Sequence, residues 1–438
     1  MPDSAAQNPS EFLKAIFDSA VTAADPKTCL PPHLKKALTK PAKGRTVVLG
    51  GGKAGGSMAK AVEDFWLENH PTRSLEGLVV TRYGHAANCD HIEIVEAGHP
   101  IPDATGSQAA QRILSLAKGL NSDDIAVCLI SGGSSALLSL PASSIRLRDK
   151  RVLTEKLLKS GATIQEMNCI RKHLSSIKGG RLAQAASPAQ VLTFCISDVP
   201  GDDLDVIGSG PTVADPTFYN DAIRILEKYK INKPSTIMEH LKQGKDETPK
   251  PGDILFDSCQ TSLIATPQLA LEAAARSATA KGITPMILGD AIEGEAREVA
   301  LVHAGIVNQI VRHNQPIQTP VVLLSGGETT VTVRGSGRGG RNSEFLLALA
   351  INFGQRSSQY LHRIAAISGD TDGLDGTEDN AGALYLPDTL HRAGVKGINL
   401  RQALENNDAY NVFKELGDLF FTGPTLTNVN DFRAILIT

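Results

Sequence analysis

A lysine set among glycines is the first residue here whose placement suggests chemistry. The apolar run Thr46–Leu49 leads into Gly50-Gly51-Gly52-Lys53-Ala54-Gly55-Gly56, and a helical pattern follows from Ser57 to Leu67. Strand, glycine loop and helix in that order let a backbone approach a ligand, with N–H groups at the helix start and Lys53 adding positive charge. A phosphate or a carboxylate suits such a place. The plain alternative is that the glycines serve only close packing. Ser131-Gly132-Gly133-Ser134-Ser135 closes a second apolar run and reads as a phosphate cradle of amides and hydroxyls. It lacks the G-x-S-x-G of a nucleophile turn. Two acidic loops follow apolar runs: Asp198 with Asp202 and Asp203, and Asp370 with Asp372 and Asp375. Carboxylates at strand ends suit Mg2+ bridging a polyphosphate, although solvated turn acids are the bland reading. Arg338 and Arg341 sit in a glycine-rich basic loop and add fixed positive charge for a phosphoryl group or a carboxylate.

These loops need strands to hold them. Buried-type strands are expected at Thr46–Leu49, Gly77–Thr81, Ile92–Val95, Ile125–Ile130 and Val191–Ile196, alternating with helices. That alternation predicts a doubly wound α/β domain, which binds ligands at the carboxyl ends of its strands. Further helices are expected over Pro9–Ala24, Arg146–Ser160 and Thr163–Ala186, and a proline-rich linker from Pro31 to Pro41. The Thr163–Ala186 helix carries Arg171, Lys172, His173, Lys178 and Arg181, which read as a solvated basic face. Polar text from Asn232 to Pro251 is taken as the domain boundary, giving domains 1–245 and 246–438. The second half alternates again, with a helix expected over Gln260–Lys281 and strands at Pro285–Leu288, Pro320–Leu324, Ile364–Ile367 and Phe432–Ile437.

The chain has 438 residues, 41% hydrophobic and 21% charged, with a formal net charge of −3. That composition is globular, and the charge gives no reason to expect nucleic acid or an anionic membrane surface as partner. Aromatic residues are only 4%, too few for stacking platforms. The six cysteines show no CxxC or Cys/His spacing and read as reduced thiols, consistent with a cytoplasmic location. No secretory leader or membrane span is expected.

Gly50, Gly52 and Gly55 match G-x-G-x-x-G in letters, but the acid that would confirm a dinucleotide site is missing from Val80-Thr81-Arg82-Tyr83. Glycine loops, one embedded lysine, acid loops and arginines together fit phosphoryl transfer, which depends on positioning and charge neutralisation. The inventory reads as a small-molecule kinase with its site in a cleft between two α/β domains.

The chain also resembles the class II glycerate 2-kinases, the family with a C-terminal MOFRL domain. The stretches that carry this are GGGKAG (Gly50–Gly55), GHPIPD (Gly98–Asp103), LISGGSSALL (Leu129–Leu138) and RKHLSSIKGGRLA (Arg171–Ala183). They continue with SDVPGDDLDVIGSGPTVADPT (Ser197–Thr217), LSGGETTVTVRGSGRGGRNSEF (Leu324–Phe345), GDTDGLDG (Gly369–Gly376) and TGPTLTNVNDFR (Thr422–Arg433). The resemblance implies a Rossmann-like N-terminal domain, a mixed-sheet α/β C-terminal domain and an active site in the cleft between them. It implies phosphorylation of D-glycerate by ATP at the C2 hydroxyl, with Mg2+, to give 2-phosphoglycerate and ADP. It places active-site roles on Lys53 and Arg341. It carries over Ser131–Ser135, Asp198, Glu328, Asn342, Asp370 and Asp372 as site positions without assigned roles. The expectation for those roles is that Gly51, Gly52, Ser131–Ser135, Glu328, Asn342 and Asp370 bind nucleotide or substrate, that Asp198 is a catalytic or metal-holding acid, and that Asp372 is a metal ligand. It is compatible with a homodimer. Thr425-Leu426-Thr427 departs from the family, where a glycine often stands in the middle. Two other readings stay open: a hydroxypyruvate reductase using NAD(P)H, and a non-catalytic sugar-acid or nucleotide sensor.

Overall fold

The structure, a computed structural model, describes residues 8–39, 42–356 and 358–438. It divides into two compact units, and one is inserted in the other. Pro26–Ile264 forms the inserted unit; the segment ending at Asp25 joins Ala265–Thr438 to form the split unit.

The inserted unit is built on a six-stranded sheet: β1 (Thr46–Gly51), β2 (Leu75–Arg82), β3 (Ile92–Ala97), β4 (Ile125–Ile130), β5 (Gln190–Ile196) and β6 (Cys259–Ala265). Its order is β3-β2-β1-β4-β5-β6, and β1 pairs in parallel with both β2 and β4. The winding direction therefore reverses between β1 and β4. The runs TVVLGG and IAVCLI are buried along their whole length, as strands covered on both faces must be. A second core lies among the helices Leu147–Ser160, Ile164–His173, Tyr219–Lys228 and Ser235–Gln243, where Leu153, Leu157, Met167, Leu226 and Leu241 pack together.

The split unit carries β7 (Thr284–Gly289), β8 (Gly294–Glu295), β9 (Val321–Gly327), β10 (Thr329–Thr330), β11 (Ile364–Asp370), β12 (Gly382–Tyr385), β13 (Leu419–Phe420) and β14 (Asp431–Ile437). Its main sheet runs β13-β12-β11-β14-β9-β7 and is mixed. β7 lies parallel to β9, while β14 is antiparallel to both β9 and β11. The helix Pro9–Ala24 starts at an N-cap, where Asn8 accepts from the Glu11 amide, and buries Phe12, Leu13, Ile16 and Phe17. Phe17 stands edge-on to Phe420 and Phe432, with centroids 4.9 and 5.5 Å away.

Several local expectations change. The division falls after Ile264 rather than at 245/246, and the first helix belongs with the C-terminal sheet. Asn232–Pro251 is not a linker: it contains the helix Ser235–Gln243, and its Asp246 and Glu247 pair with Arg181 and His173. The proline-rich stretch is helical over Pro26–Ala37 despite Pro31 and Pro32, because Leu30 and Leu34 are buried along one side; the expected linker end at Pro41 lies outside the described residues. Thr163–Ala186 is two helices, Ile164–His173 and Arg181–Ala186, separated where Gly179 and Gly180 take positive φ. Gln260–Ala265 is strand and only Pro267–Ala280 is helix, started by the Thr266 hydroxyl accepting from the Leu269 amide. Among the described residues no helix is long and apolar enough to cross a membrane.

Candidate active site

In the inserted unit, the ends of β1, β4 and β5 gather Lys53, Ser131–Ser135 and Asp198. The two glycine loops lock together through their backbones. The Lys53 amide donates to the Gly132 carbonyl at 2.7 Å, the Gly52 amide to Val80 at 3.0 Å and the Gly55 amide to Gly52 at 2.9 Å. The Ala54 amide donates to the Ser131 hydroxyl at 3.1 Å. The first loop is therefore not an open nest of amides, because the N–H groups of Gly52, Lys53, Ala54 and Gly55 are already used. Its glycines are needed for contact: a β-carbon on Gly52 would overlap the Ser131 side chain, and one on Gly132 would overlap the Asp198 carboxylate. What the loop presents is the Lys53 side chain. At Gly133, whose φ is +79°, a β-carbon would come within 2.8 Å of His99 Nε2 and 3.2 Å of Lys53 Cγ. His99, Lys53, Gly132 and Asp198 thus share one small region. Ser135 and Ser209 exchange a hydrogen bond at 2.8 Å, which ties the second loop to the one after β5.

In the split unit, the ends of β9, β11 and β14 meet the start of the helix Arg341–Arg356. Each guanidinium nitrogen of Arg341 goes to a different carboxylate: Nε to Asp431 at 2.7 Å, Nη1 to Glu328 at 2.8 Å and Nη2 to Asp370 at 2.9 Å. Of the five N–H donors on arginine, two remain for anything else. Asn342 donates to Asp431 at 2.8 Å and accepts from the Ser368 hydroxyl at 2.6 Å. Asp375 receives the backbone amides of Asn342 and Ser343, at 2.8 and 2.9 Å, so it caps this helix from a distant loop. Asp372 accepts from the Leu374 amide, and its own amide donates to Asp370.

Asp431 and the fully buried Arg433 lie at the centre of this network, 2.6 Å apart. Burial pushes the Asp431 carboxyl up, but the Arg341 and Arg433 guanidiniums outweigh it and hold the group below its ordinary value. Burial opposes the charge on Arg341, yet Asp431, Asp370 and Glu328 raise its pKa further. Two guanidiniums face three carboxylates here, so the network is acidic on balance and Arg341 is not a lone cation.

The sequence reading selected Glu328, Arg341, Asn342, Asp370 and Asp372, and the structure brings these together in the split unit. It selected Gly51, Gly52, Lys53, Ser131–Ser135 and Asp198, and these meet in the inserted unit. It assigned no role to Asp431 or Arg433, whose only signal was a charged pair flanking Phe432 at the start of an apolar strand. It also took the basic cluster for a solvated face. Lys172, His173, Lys178 and Arg181 are in fact buried. Lys172 pairs with Asp205 at 2.8 Å, His173 with Glu247 at 2.9 Å and Arg181 with Asp246 at 2.9 Å.

Among the described residues no three His, Cys, Asp or Glu side chains converge as a ready metal cage. A magnesium ion that arrives with a nucleotide needs only one or two carboxylates beside the phosphates. The donor chemistry of Asp198 in the inserted unit and Asp372 in the split unit fits that mode.

A family model described as a domain of unknown function, DUF4147, matches residues 12–242, and the MOFRL family matches residues 321–431. A protein of Agrobacterium vitis, provisionally named hydroxypyruvate reductase, is 51% identical over 98% of this chain and 94% of its own. A glycerate 2-kinase of Pyrococcus horikoshii is 39% identical over 97% of this chain and 96% of its own. The crystal structure of a glycerate kinase from Thermotoga maritima superposes with a TM-score of 0.87 at 37% identity, covering 99% of this chain and 100% of that one. On sequence, fold and the order of its motifs, the chain belongs to the glycerate 2-kinase family that joins a DUF4147 region to a MOFRL region.

Proposed function

We propose that this protein is a D-glycerate 2-kinase. The C2 hydroxyl oxygen of glycerate attacks the γ-phosphorus of ATP, a new O–P bond forms, and the bond to the β-phosphate bridging oxygen breaks. The products are 2-phosphoglycerate, ADP and the hydroxyl proton. The observation that carries this reading is the convergence of Lys53 and Asp198 on the Ser131–Ser135 loop. The strand order 3-2-1-4-5-6 supports a Rossmann-like unit, and these residues stand where its winding reverses, the position at which such sheets bind ligands. Lys53 supplies charge to the transferring phosphoryl group. Asp198 takes the hydroxyl proton or holds the metal. In the split unit, Arg341 keeps two N–H groups for an oxyanion; Glu328, Asp370 and Asp431 hold it in place, and Asn342 in turn holds Asp431. Magnesium bound with the nucleotide would neutralise charge on the phosphates; Asp198 is the acid the inserted unit would offer it.

The names of the Agrobacterium relatives favour a reductase. The geometry counts against that reading. A dinucleotide pyrophosphate needs open amides at the first glycine loop, and those amides are engaged. β2 ends in Thr81 and Arg82, and the Thr81 hydroxyl donates to the Gly52 carbonyl at 3.1 Å, so no carboxylate is offered to an NADH ribose there, whereas Arg82 would tolerate the 2′-phosphate of NADPH.

The test is incubation with D-glycerate and MgATP, with the product read by phosphorus NMR. A resonance from phosphate on C2 supports the reading. Phosphate on C3 overturns the regiochemistry. No transfer, together with consumption of NADH or NADPH by hydroxypyruvate, replaces the kinase with the reductase.

A further inference from the structure

In the inserted unit the buried cations Lys172 and Arg181 have acid partners, as described above. A second group has none among the described residues. Lys150, on the helix Leu147–Ser160, is only 7% exposed, and its ammonium nitrogen has no hydrogen-bond partner. Lys178, 1% exposed, donates to the Gly208 carbonyl at 3.2 Å and forms no ion pair. Arg171, half-buried, reaches only Asn168, at 3.5 Å. They stand near enough that Arg171 depresses the charged form of Lys150, and both depress that of Lys178. Burial, then Arg171, pushes Lys150 down to about 8, and burial, then Lys150 and Arg171, pushes Lys178 well below its ordinary value. The buried hydroxyl of Ser139 is also without a partner.

Lys150, Arg171 and Ser139 line one pocket of about 430 Å³. It opens beside His99, Gly133 and Ser135, on the loop already assigned to the reaction, and its other walls include Leu147, Leu158 and Ile101. Glu155 is the one carboxylate on the lining, and it is exposed. Converging buried positive charge without counter-charge is costly in a folded chain, and a ligand that brings the missing negative charge removes that cost.

We propose that this pocket receives the phosphate chain of the nucleotide, with Lys150 and Arg171 on its lining supplying the counter-charge, Lys178 adding positive potential from behind them, and the apolar wall facing the base. The assignment rests on the kinase reading for the identity of the nucleotide. The anion site itself rests on the unpartnered cations.

Calorimetric titration of the full chain with MgADP, with pyrophosphate and with 2-phosphoglycerate tests it. Lys150→Met keeps the apolar stem and removes the charge. It is expected to weaken ADP and pyrophosphate about 10- to 100-fold, as for loss of a charge-assisted hydrogen bond. The melting temperature of this variant is expected to rise, because an uncompensated buried charge is gone. A merely structural lysine would give neither change. Arg171→Gln provides a second readout with the same expected direction on ADP. Unchanged ADP and pyrophosphate affinity in both variants overturns the site, whatever the turnover. Selective loss of 2-phosphoglycerate binding overturns the assignment to the nucleotide. A Lys150-dependent ADP affinity in a protein that transfers no phosphate to glycerate overturns the kinase reading and keeps the site.

Discussion

Replacing Arg341 with methionine is expected to cost stability as well as activity. Its three ion pairs differ in worth. Glu328 is 47% exposed at its side chain, so that pair contributes about 0–1 kcal/mol. Asp370 and Asp431 are 7% and 0% exposed, and removing one partner from a buried pair costs roughly 3–5 kcal/mol. Asp431 keeps Arg433 and Asn342, which limits the damage on that side. Arg341→Met should therefore lose about 3–5 kcal/mol, or on the order of 10 °C in the melting of the split unit. Arg341→Lys should recover less than half, because an ammonium cannot send separate nitrogens to three carboxylates. Adding Asp370→Asn to Arg341→Met removes one uncompensated charge, so the double variant should be more stable than additivity predicts by at least about 1 kcal/mol. Denaturant melts of Arg341→Met, Arg341→Lys, Asp370→Asn, the double variant and the parent supply every term. A loss below about 1 kcal/mol for Arg341→Met, or strict additivity in the pair, would refute the view that these acids depend on this guanidinium.

Other outcomes follow from single positions. Gly132→Ala places a β-carbon on the Asp198 carboxylate, so kcat/KM should fall by about 100-fold, a loss of ~2.7 kcal/mol in transition-state binding, while Gly305→Ala, with open space around it, should be neutral or stabilising; equal activities would break the link between Gly132 and Asp198. His303 is held neutral by burial, with its pKa lowered to about 4, donating to Val299 and accepting from Ser325. The unfolded chain takes up this proton first, so stability should fall as pH drops from about 6.5 towards 4, by roughly 3 kcal/mol in all; urea melts of His303→Gln that keep the same slope would disprove it. Leu426 adopts φ +60°, at the position where the family often has glycine. Leu426→Gly should be more stable than Leu426→Ala by about 1 kcal/mol, since both lose the side chain and only glycine is relaxed there; thermal melts that rank alanine above glycine would contradict this.

The loops were legible because glycine, serine and acid clusters after apolar runs mark strand ends, and those clusters hold the chosen residues in both units. Their partners were harder to see. Asp431 lies 90 residues from Arg341 and Glu247 lies 74 from His173, so no spacing rule connects them. The basic cluster therefore looked like a solvated face when most of it is buried. β6 was missed because Leu263, Ile264 and Ala265 read as the first apolar turn of an alanine-rich helix, although Thr266-Pro267 marks the true start. The helix Pro26–Ala37 was hidden by two prolines that tertiary burial of Leu30 and Leu34 overrides. The split unit could not be read at all, since the link between the first helix and the last strands is purely spatial.

That link has a consequence for synthesis. Phe12, Leu13, Ile16 and Phe17 leave the ribosome early, yet the surface that covers them comes much later: the helix Pro267–Ala280 first, and Phe420 and Phe432 last. At about 5–20 residues per second, the helix waits on the order of 20–80 s before its apolar stripe is fully covered. Pro26–Ile264 emerges whole in that interval and can fold first. The nascent protein is thus open to chaperones and to self-association at its oldest end, where protection begins with Pro267–Ala280 and is completed only near the end of synthesis.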